Sequence, residues 1–408
     1  MYTQGPAAPA DRLENAMRQG AGPALSGADP QRLTALADEL DRVALLSMAL
    51  TLRGHGLFTR DGAAHRSDDI LSALRVASRH RRVVRRWLAA LVRAEMLTAS
   101  ADGSYTGLAA VDAGDLDRAA AGMHEAGLAL GHGPEMTRFL LDAVRYLPQL
   151  LRDEIALQTL LFPDGRMDTA DSTYRENTIS RYVNAMAAAA LADFAAGRDA
   201  RTPLRVLEVG AGVGGTTTDL VAALAPHAAG PGVDYLFTDV SRFFFLAARE
   251  RLAALPWIRY RLFDMNGDAA AQGYDPASAD VVVCANVLHN ARHVGEVLAG
   301  LRRLLTPGGL LVVIETSREH CQLMTSMEFL MSPGPQEPDR DFEDFRRGQD
   351  RIFLTREEWL REIAGAGFES AVSLPTPEEP MARLGQHVHA AFAPTGGPAV
   401  TGAAPSPA

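Results

Sequence analysis

Lysine is absent from this 408-residue chain, so all 40 basic residues are arginine. That absence excludes whole reaction classes, because a P-loop needs a lysine on its phosphates and pyridoxal chemistry needs a lysine imine. Cysteine is scarce as well. Cys284 and Cys321 are too few for a disulfide framework or a cysteine-rich metal site. No run approaches the roughly 20 continuous apolar residues of a membrane helix. The start, MYTQGPAAPADRLENAMRQG, lacks the basic and apolar regions of a secretory signal. A cytoplasmic protein outside the membrane is expected. Basic charge is also in deficit: fifty acidic residues leave a net charge of −10, which disfavours general nucleic-acid binding. What is present is core-forming material, 47% hydrophobic residues, in a chain long enough for about two folded units.

Residues 1–30 and 394–408 are rich in Ala, Gly and Pro without periodicity and read as flexible tails. Between them, residues 31–110 are helical at first. Leu33, Leu36, Leu40, Val43, Leu46 and Met48 recur near helical spacing up to the break at Gly54-His55-Gly56. Ser67-Asp-Asp-Ile70 looks like a helix start with acidic residues in its first turn. A further helix carries Val83, Val84, Trp87, Leu88, Leu91 and Val92, and a hairpin with Asp102-Gly103 at its turn follows. Three helices and a hairpin in that order suggest a winged-helix module. Arg79, Arg81, Arg82, Arg85 and Arg86 crowd its last helix, so a DNA-binding face and a solvated face on a dimerisation or lid domain both fit.

Residues 111–200 read as a helical connector or lid, and the rhythm changes at residue 201. From there to residue 393, short apolar strands alternate with helices. Leu204–Val209, Tyr235–Thr238, Ile258–Phe263, Val281–Cys284, Leu310–Ile314, Glu369–Leu374 and Gln386–Phe392 are the candidates. That alternation predicts an α/β, Rossmann-like domain with a mostly parallel seven-stranded sheet, preceded by the winged-helix-like helical module.

Val206-Leu-Glu-Val-Gly210-Ala-Gly212-Val-Gly-Gly215 runs from the first of these strands into a helix. Glycines there let the backbone turn tightly and approach a ligand. The string also fits the dinucleotide fingerprint. Against a nicotinamide cofactor, Glu208 precedes the glycines, where an anion suits a cationic amino-acid ligand better than a pyrophosphate. Asp239 ends the second strand and can accept from ribose hydroxyls. Asp264 ends the third and can accept from an adenine amino group. A single Asp at such a place is more often a cap or turn residue. Three acids at three successive strand ends point instead to S-adenosylmethionine, with Gly210, Gly212, Met265 and Asn286 completing the expected cofactor set.

The strings LEVGAGVGGTT, YLFTDVS, LPWIRYRLFDMN, VVVCANVLHNARH, LLTPGGLLVVIE, QLMTSMEF and DFRRGQDRIF together closely resemble the methyltransferase domains embedded in polyketide and nonribosomal peptide synthetases. The likeness runs from about Leu160 to Phe368. It implies a class I methyltransferase fold, S-adenosylmethionine as cofactor, and secondary-metabolite biosynthesis. No ketosynthase, condensation or carrier segment is seen, so the chain reads as a free-standing relative. Its substrate is then a small molecule or a carrier-tethered one, with a synthetase as possible partner. In the carbon-methylating members a His and a Glu in these motif contexts form the catalytic pair, which carries over to His289 and Glu315. An imidazole can take an acidic α-proton, and a carboxylate behind it fixes its tautomer.

The same base would serve an oxygen nucleophile, so a small-molecule O-methyltransferase is the enzymatic alternative. A cofactor-sensing winged-helix regulator is the non-enzyme one. His289, His293 and Glu315 match a two-His-one-carboxylate set, but one functional and one surface histidine is commoner, and no metal is expected. Tyr174, Tyr182, Met324 and Glu328 are candidate substrate-pocket residues, with core packing the better fit for Met324. Arg346 and Arg347 meet an acidic or phosphopantetheine group, or form a solvated pair. By resemblance, the amino-terminal module makes a homodimer.

Overall fold

A computed structural model describes residues 9–27, 29–129, 132–198, 201–229 and 232–396. Helix α1, Pro9–Ala21, corrects the expectation of a flexible tail over residues 1–30. Leu13, Met17 and Ala21 form a single helical stripe, and all three are buried. Each large side chain so buried contributes about 1.5–3 kcal/mol. Gly20 lets α1 lie close against the long alanine-rich helix 178–197, since a Cβ at Gly20 would stand 2.4 Å from the Cβ of Ala189. Residues 1–8 and 397–408 of the expected tails lie outside the described residues.

Helix α2, Pro30–Gly54, starts where Asp29 accepts from the Gln31 N–H and Pro30 occupies the first turn. Strand β1 (His65–Arg66), α3 (Ser67–Ala73), α4 (Arg81–Arg93), β2 (Thr98–Ala99) and β3 (Ser104–Thr106) follow. The three short strands form an antiparallel sheet in the order β1-β3-β2. At the predicted hairpin turn Asp102 accepts from the Ser104 N–H, and Gly103 takes φ +80°. The apolar face of α4, with Trp87 and Leu88 wholly buried, packs into the amino-terminal core.

Three arginines of that stretch are held by partners rather than free. Arg79 is forked onto Asp153, Arg82 lies over the Phe342 ring and reaches Asp341, and Arg86 is buried. Arg86 Nη2 donates to Glu319, and its Nε lies 2.6 Å from Glu328 Oε1. The Arg82 and Arg86 pairs tie α4 to the segment that follows the fifth strand of the large sheet. Together with the Arg79 fork they take three of the five arginines out of the DNA-binding reading and leave Arg81 and Arg85 exposed.

Helices α5 (Ala113–Ala129), α6 (Pro134–Arg145) and α7 (Thr178–Gly197) make up most of the next stretch. The remaining elements are β4 (Leu204–Val209), α8 (Gly215–Leu224), β5 (Val233–Asp239), α9 (Phe243–Arg251), β6 (Ile258–Leu262) and β7 (Ala279–Ala285). After them come α10 (Val294–Leu304), β8 (Leu305–Thr316), α11 (Arg356–Gly365), β9 (Glu369–Leu374) and β10 (Gln386–Phe392). They form one sheet in the order β6-β5-β4-β7-β8-β10-β9. Strands β4 to β8 pair in parallel, and β10 runs antiparallel to both β8 and β9. All seven expected strands are present.

Burial on both faces explains their unbroken apolar runs. Val281 and Val283 of β7 enter one core, while Val282 and Cys284 enter the other. The strand order reverses between β4 and β7, which opens a crevice at their carboxyl ends. Helix α2 and the segment after β8 meet beside it, where Asp41 accepts from the Gln322 N–H and from Arg318. Among the described residues, no helix is long and apolar enough to cross a membrane.

Candidate functional site

A cavity of about 710 Å³ opens at that crevice. Its floor is the glycine loop between β4 and α8. Gly210 has φ +63°, and a Cβ there would come within 2.4 Å of Val287 Cγ2, so glycine is required twice over. Gly212 lies at φ +54°, and its N–H donates to Asp239 Oδ2 at 3.0 Å. Asp239 Oδ1 accepts from the Ser241 N–H at 2.9 Å. Each of these oxygens keeps a lone pair for a ligand. Burial raises the Asp239 carboxyl above its ordinary range, with three backbone N–H donors opposing the shift.

Glu208, the last residue but one of β4, is 1% exposed and lies under the loop. Its Oε2 accepts from the Tyr235 and Thr217 hydroxyls, both at 2.7 Å. Burial pushes this carboxyl up to about 7 against those two donors, and the nearby Asp239 adds to the rise. Asp264, Met265 and Asn286 line the same cavity. Asp264 is held in a turn, accepting from the Asn266 N–H, and Asn286 adopts φ +50° with its N–H on the Ile314 carbonyl.

His289 sits on a short turn, Leu288–Asn290, just past β7, and Glu315 is near the end of β8. Both are buried. His289 Nδ1 lies 2.8 Å from Glu315 Oε2, and the His289 N–H donates to Glu315 Oε1 at 3.1 Å. The opposite ring nitrogen, Nε2, is 3.1 Å from Asn290 Nδ2, and both residues line the cavity. One carboxylate therefore fixes the ring and the backbone that carries it.

Arg346 braces this turn from behind. Its guanidinium donates to the carbonyls of His289 (2.9 Å), Ala291 (2.7 Å) and Ile352 (3.0 Å), and to Asp344 Oδ2 at 2.7 Å. Fully buried and stacked on the Phe342 ring, it is neither a solvated partner of Arg347 nor available to a phosphate. That corrects both readings of its sequence position. Desolvating a guanidinium is costly unless its donors are all met, and the turn supplies the acceptors.

Comparison with known proteins agrees with this geometry. A family model described as a methyltransferase domain matches residues 207–311. The chain is 34% identical over 380 residues to pyochelin synthetase PchF of Pseudomonas aeruginosa, covering 92% of this chain but 20% of that protein. The DszA carbon methyltransferase superposes with a TM-score of 0.79 at 25% identity, over 94% of this chain and 95% of that one. The CurJ carbon methyltransferase shares the fold, with a TM-score of 0.83 at 22% identity over 94% and 99%. The chain is an S-adenosylmethionine-dependent methyltransferase. It resembles the carbon-methylating domains of polyketide and nonribosomal peptide synthetases.

The methyltransferase's crevice suits that cofactor: the Gly210 cradle has no room for a Cβ, and carboxylates from two adjacent strands, Glu208 and Asp239, line it. The expected substrate residues divide. Tyr174 lines the cavity, packed on Gly215, and burial pushes its phenol up to about 12, so it stays a donor. The other three fall elsewhere. Tyr182 faces the sheet core, and Met324 is core, its carbonyl taken by Trp87 Nε1. Glu328 is buried against Arg86, and its carboxyl is raised by burial. The far wall of the cavity is apolar instead, built from Leu140, Leu161, Leu323, Met327 and Leu330. These residues gave no sequence signal beyond ordinary core periodicity.

His293 caps α10, accepting from the Glu296 N–H through Nδ1. Among the described residues, no group of three or more His, Cys, Asp or Glu is arranged to hold a metal ion.

Proposed function

We propose that this methyltransferase transfers methyl to an activated carbon beside a carbonyl, thioester or thiazoline-like ring, in secondary-metabolite biosynthesis. One observation supplies the base, a histidine on the cavity wall backed by a wholly buried carboxylate at 2.8 Å, and the likeness to the DszA carbon methyltransferase favours carbon over oxygen as the nucleophile. Glu208, Gly210, Gly212, Asp239, Asp264, Met265 and Asn286 hold the cofactor, which supplies an electrophilic methyl group on a sulfonium when bound. Tyr174 and the apolar wall receive the substrate.

His289 Nε2 takes the α-proton. Glu315 keeps Nδ1 as the protonated nitrogen and stabilises the imidazolium that forms. The Arg346-braced turn holds the base still against the cavity, a positioning effect on the proton transfer. The substrate is small or carried on a carrier protein of a partner synthetase in the cytoplasm. Residues 31–110 act as a winged-helix-like dimerisation module and 111–200 as a lid. Light scattering that finds only monomer would remove the dimer.

A mass-resolved assay with methyl-deuterated S-adenosylmethionine tests the chemistry. Carrier-bound β-ketoacyl and thiazolinyl thioesters compete with their free and phenolic counterparts. Label on carbon, lost in His289→Ala with cofactor binding retained, is the expected result. Label on oxygen overturns it.

A further inference from the structure

Asn290 stands beside the base and has no part in the chemistry so far. A carboxylate oxygen only accepts, so the hydrogen between Glu315 Oε2 and His289 Nδ1 belongs to the imidazole. A neutral ring has one such hydrogen, which leaves Nε2 with its lone pair alone. The Asn290 atom at 3.1 Å from Nε2 is therefore the donating nitrogen, Nδ2, an orientation forced by chemistry as well as placed by geometry. That nitrogen carries two hydrogens and spends one on Nε2. The Asn290 side chain is exposed and belongs to the cavity lining.

Base and amide share one rigid turn. The Asn290 N–H is bonded to the Val287 carbonyl at 3.0 Å, the His289 N–H to Glu315, and the carbonyls of His289 and Ala291 to Arg346. An α-hydrogen and its carbonyl oxygen sit on neighbouring carbons, so one rigid turn can present a base to the first and a donor to the second. In the resting site the two groups already touch, at 3.1 Å, and each needs only to reach its own atom of the substrate.

We propose that Asn290 Nδ2 donates to the substrate's carbonyl oxygen and stabilises it as it becomes an enolate oxygen, while in the resting site the same amide covers the lone pair of His289. This rests on the carbon-methylating reading above. On binding, the carbonyl oxygen takes the Nδ2 hydrogen and the amide turns off Nε2. The α-proton moves to Nε2. The C–H pair becomes the new C=C bond, and the carbonyl π pair moves to oxygen, where Asn290 meets the charge. The enolate carbon then takes the methyl group, the C–S pair stays on sulfur, and the carbonyl re-forms. The imidazolium returns its proton to water.

The test needs no methyl donor. The full chain is incubated in deuterium oxide with a panel of β-ketoacyl and thiazolinyl N-acetylcysteamine thioesters, and α-proton exchange above the buffer rate is followed by mass. Asn290→Ala is expected to slow enzymatic exchange by about 10²–10³-fold, the usual effect of losing one oxyanion donor. Asn290→Asp, which brings a negative charge to the same place, slows it at least as much. Cofactor affinity by calorimetry stays unchanged in both. Exchange by Asn290→Ala within threefold of the wild type overturns the proposal and leaves the carbon-methylating reading standing. A wild type that exchanges no member of the panel and labels no carbon overturns both.

Discussion

Lowering the pH from 8 to 6 should weaken cofactor binding about tenfold, and Glu208→Gln should abolish that dependence. Glu208 is wholly buried under the glycine loop, and its carboxyl titrates near 7 because burial outweighs its two hydroxyl donors. Only the ionised form attracts a cationic amino-acid end. The sign follows: protonation at low pH removes the attraction, and rising pH restores it. If binding requires the ionised form, the apparent Kd scales as 1 + 10^(pKa − pH). With a pKa of about 7 that factor is about 11 at pH 6 and about 1.1 at pH 8, a difference of about 1.4 kcal/mol. Calorimetric titration of S-adenosylmethionine at pH 6, 7 and 8, in two buffers of different ionisation heat, reads affinity and proton release together. About half a proton should be released at pH 7. Glu208→Gln keeps the shape of the side chain, and the ligand's own titration is common to both proteins. An equal pH slope in wild type and variant refutes the assignment of Glu208.

Three further substitutions probe the scaffold. Gly210→Ala places a methyl group against Val287 in a left-handed backbone. The conformation alone costs about 1–2 kcal/mol. Cofactor affinity should fall at least tenfold, with the helical circular dichroism retained and the steric part recovered by adding Val287→Ala. Arg346→Met strands Asp344 and the carbonyls behind His289. Urea unfolding should report about 3–5 kcal/mol lost, with kcat reduced more than KM. Arg86→Met leaves Glu328 buried without its cation, and a similar loss should be partly repaired by adding Glu328→Gln.

The sheet was readable because strands buried on both faces leave short apolar runs between helices. Leu204–Val209, Glu369–Leu374 and Gln386–Phe392 match their predicted bounds, while β8 begins at Leu305, five residues earlier than expected. The stripe of Leu13, Met17 and Ala21 was hidden in an Ala, Gly and Pro background. It acquires meaning only against α7, whose alanines admit Gly20. His289 and Glu315, 26 residues apart in the chain, were legible from the motifs that place them at neighbouring strand ends. Arg86 and Arg346 were not, because an arginine looks solvated until its acidic partners are known. Those partners, Glu319, Glu328 and Asp344, come from folding of the segment after β8. Tyr182 and Glu328 failed as pocket residues for a similar reason: the direction of a side chain depends on neighbours that periodicity does not name. Met324 is the core residue its apolar surroundings favoured.

The most direct measurement locates the transferred label. With methyl-deuterated S-adenosylmethionine and the mixed thioester panel, the account predicts deuterium on the carbon beside the carbonyl or ring. It also predicts that His289→Ala loses this product by about 10²–10⁴-fold while binding the cofactor as tightly as the wild type. Deuterium on oxygen, or a His289→Ala variant that methylates at the wild-type rate, would contradict it.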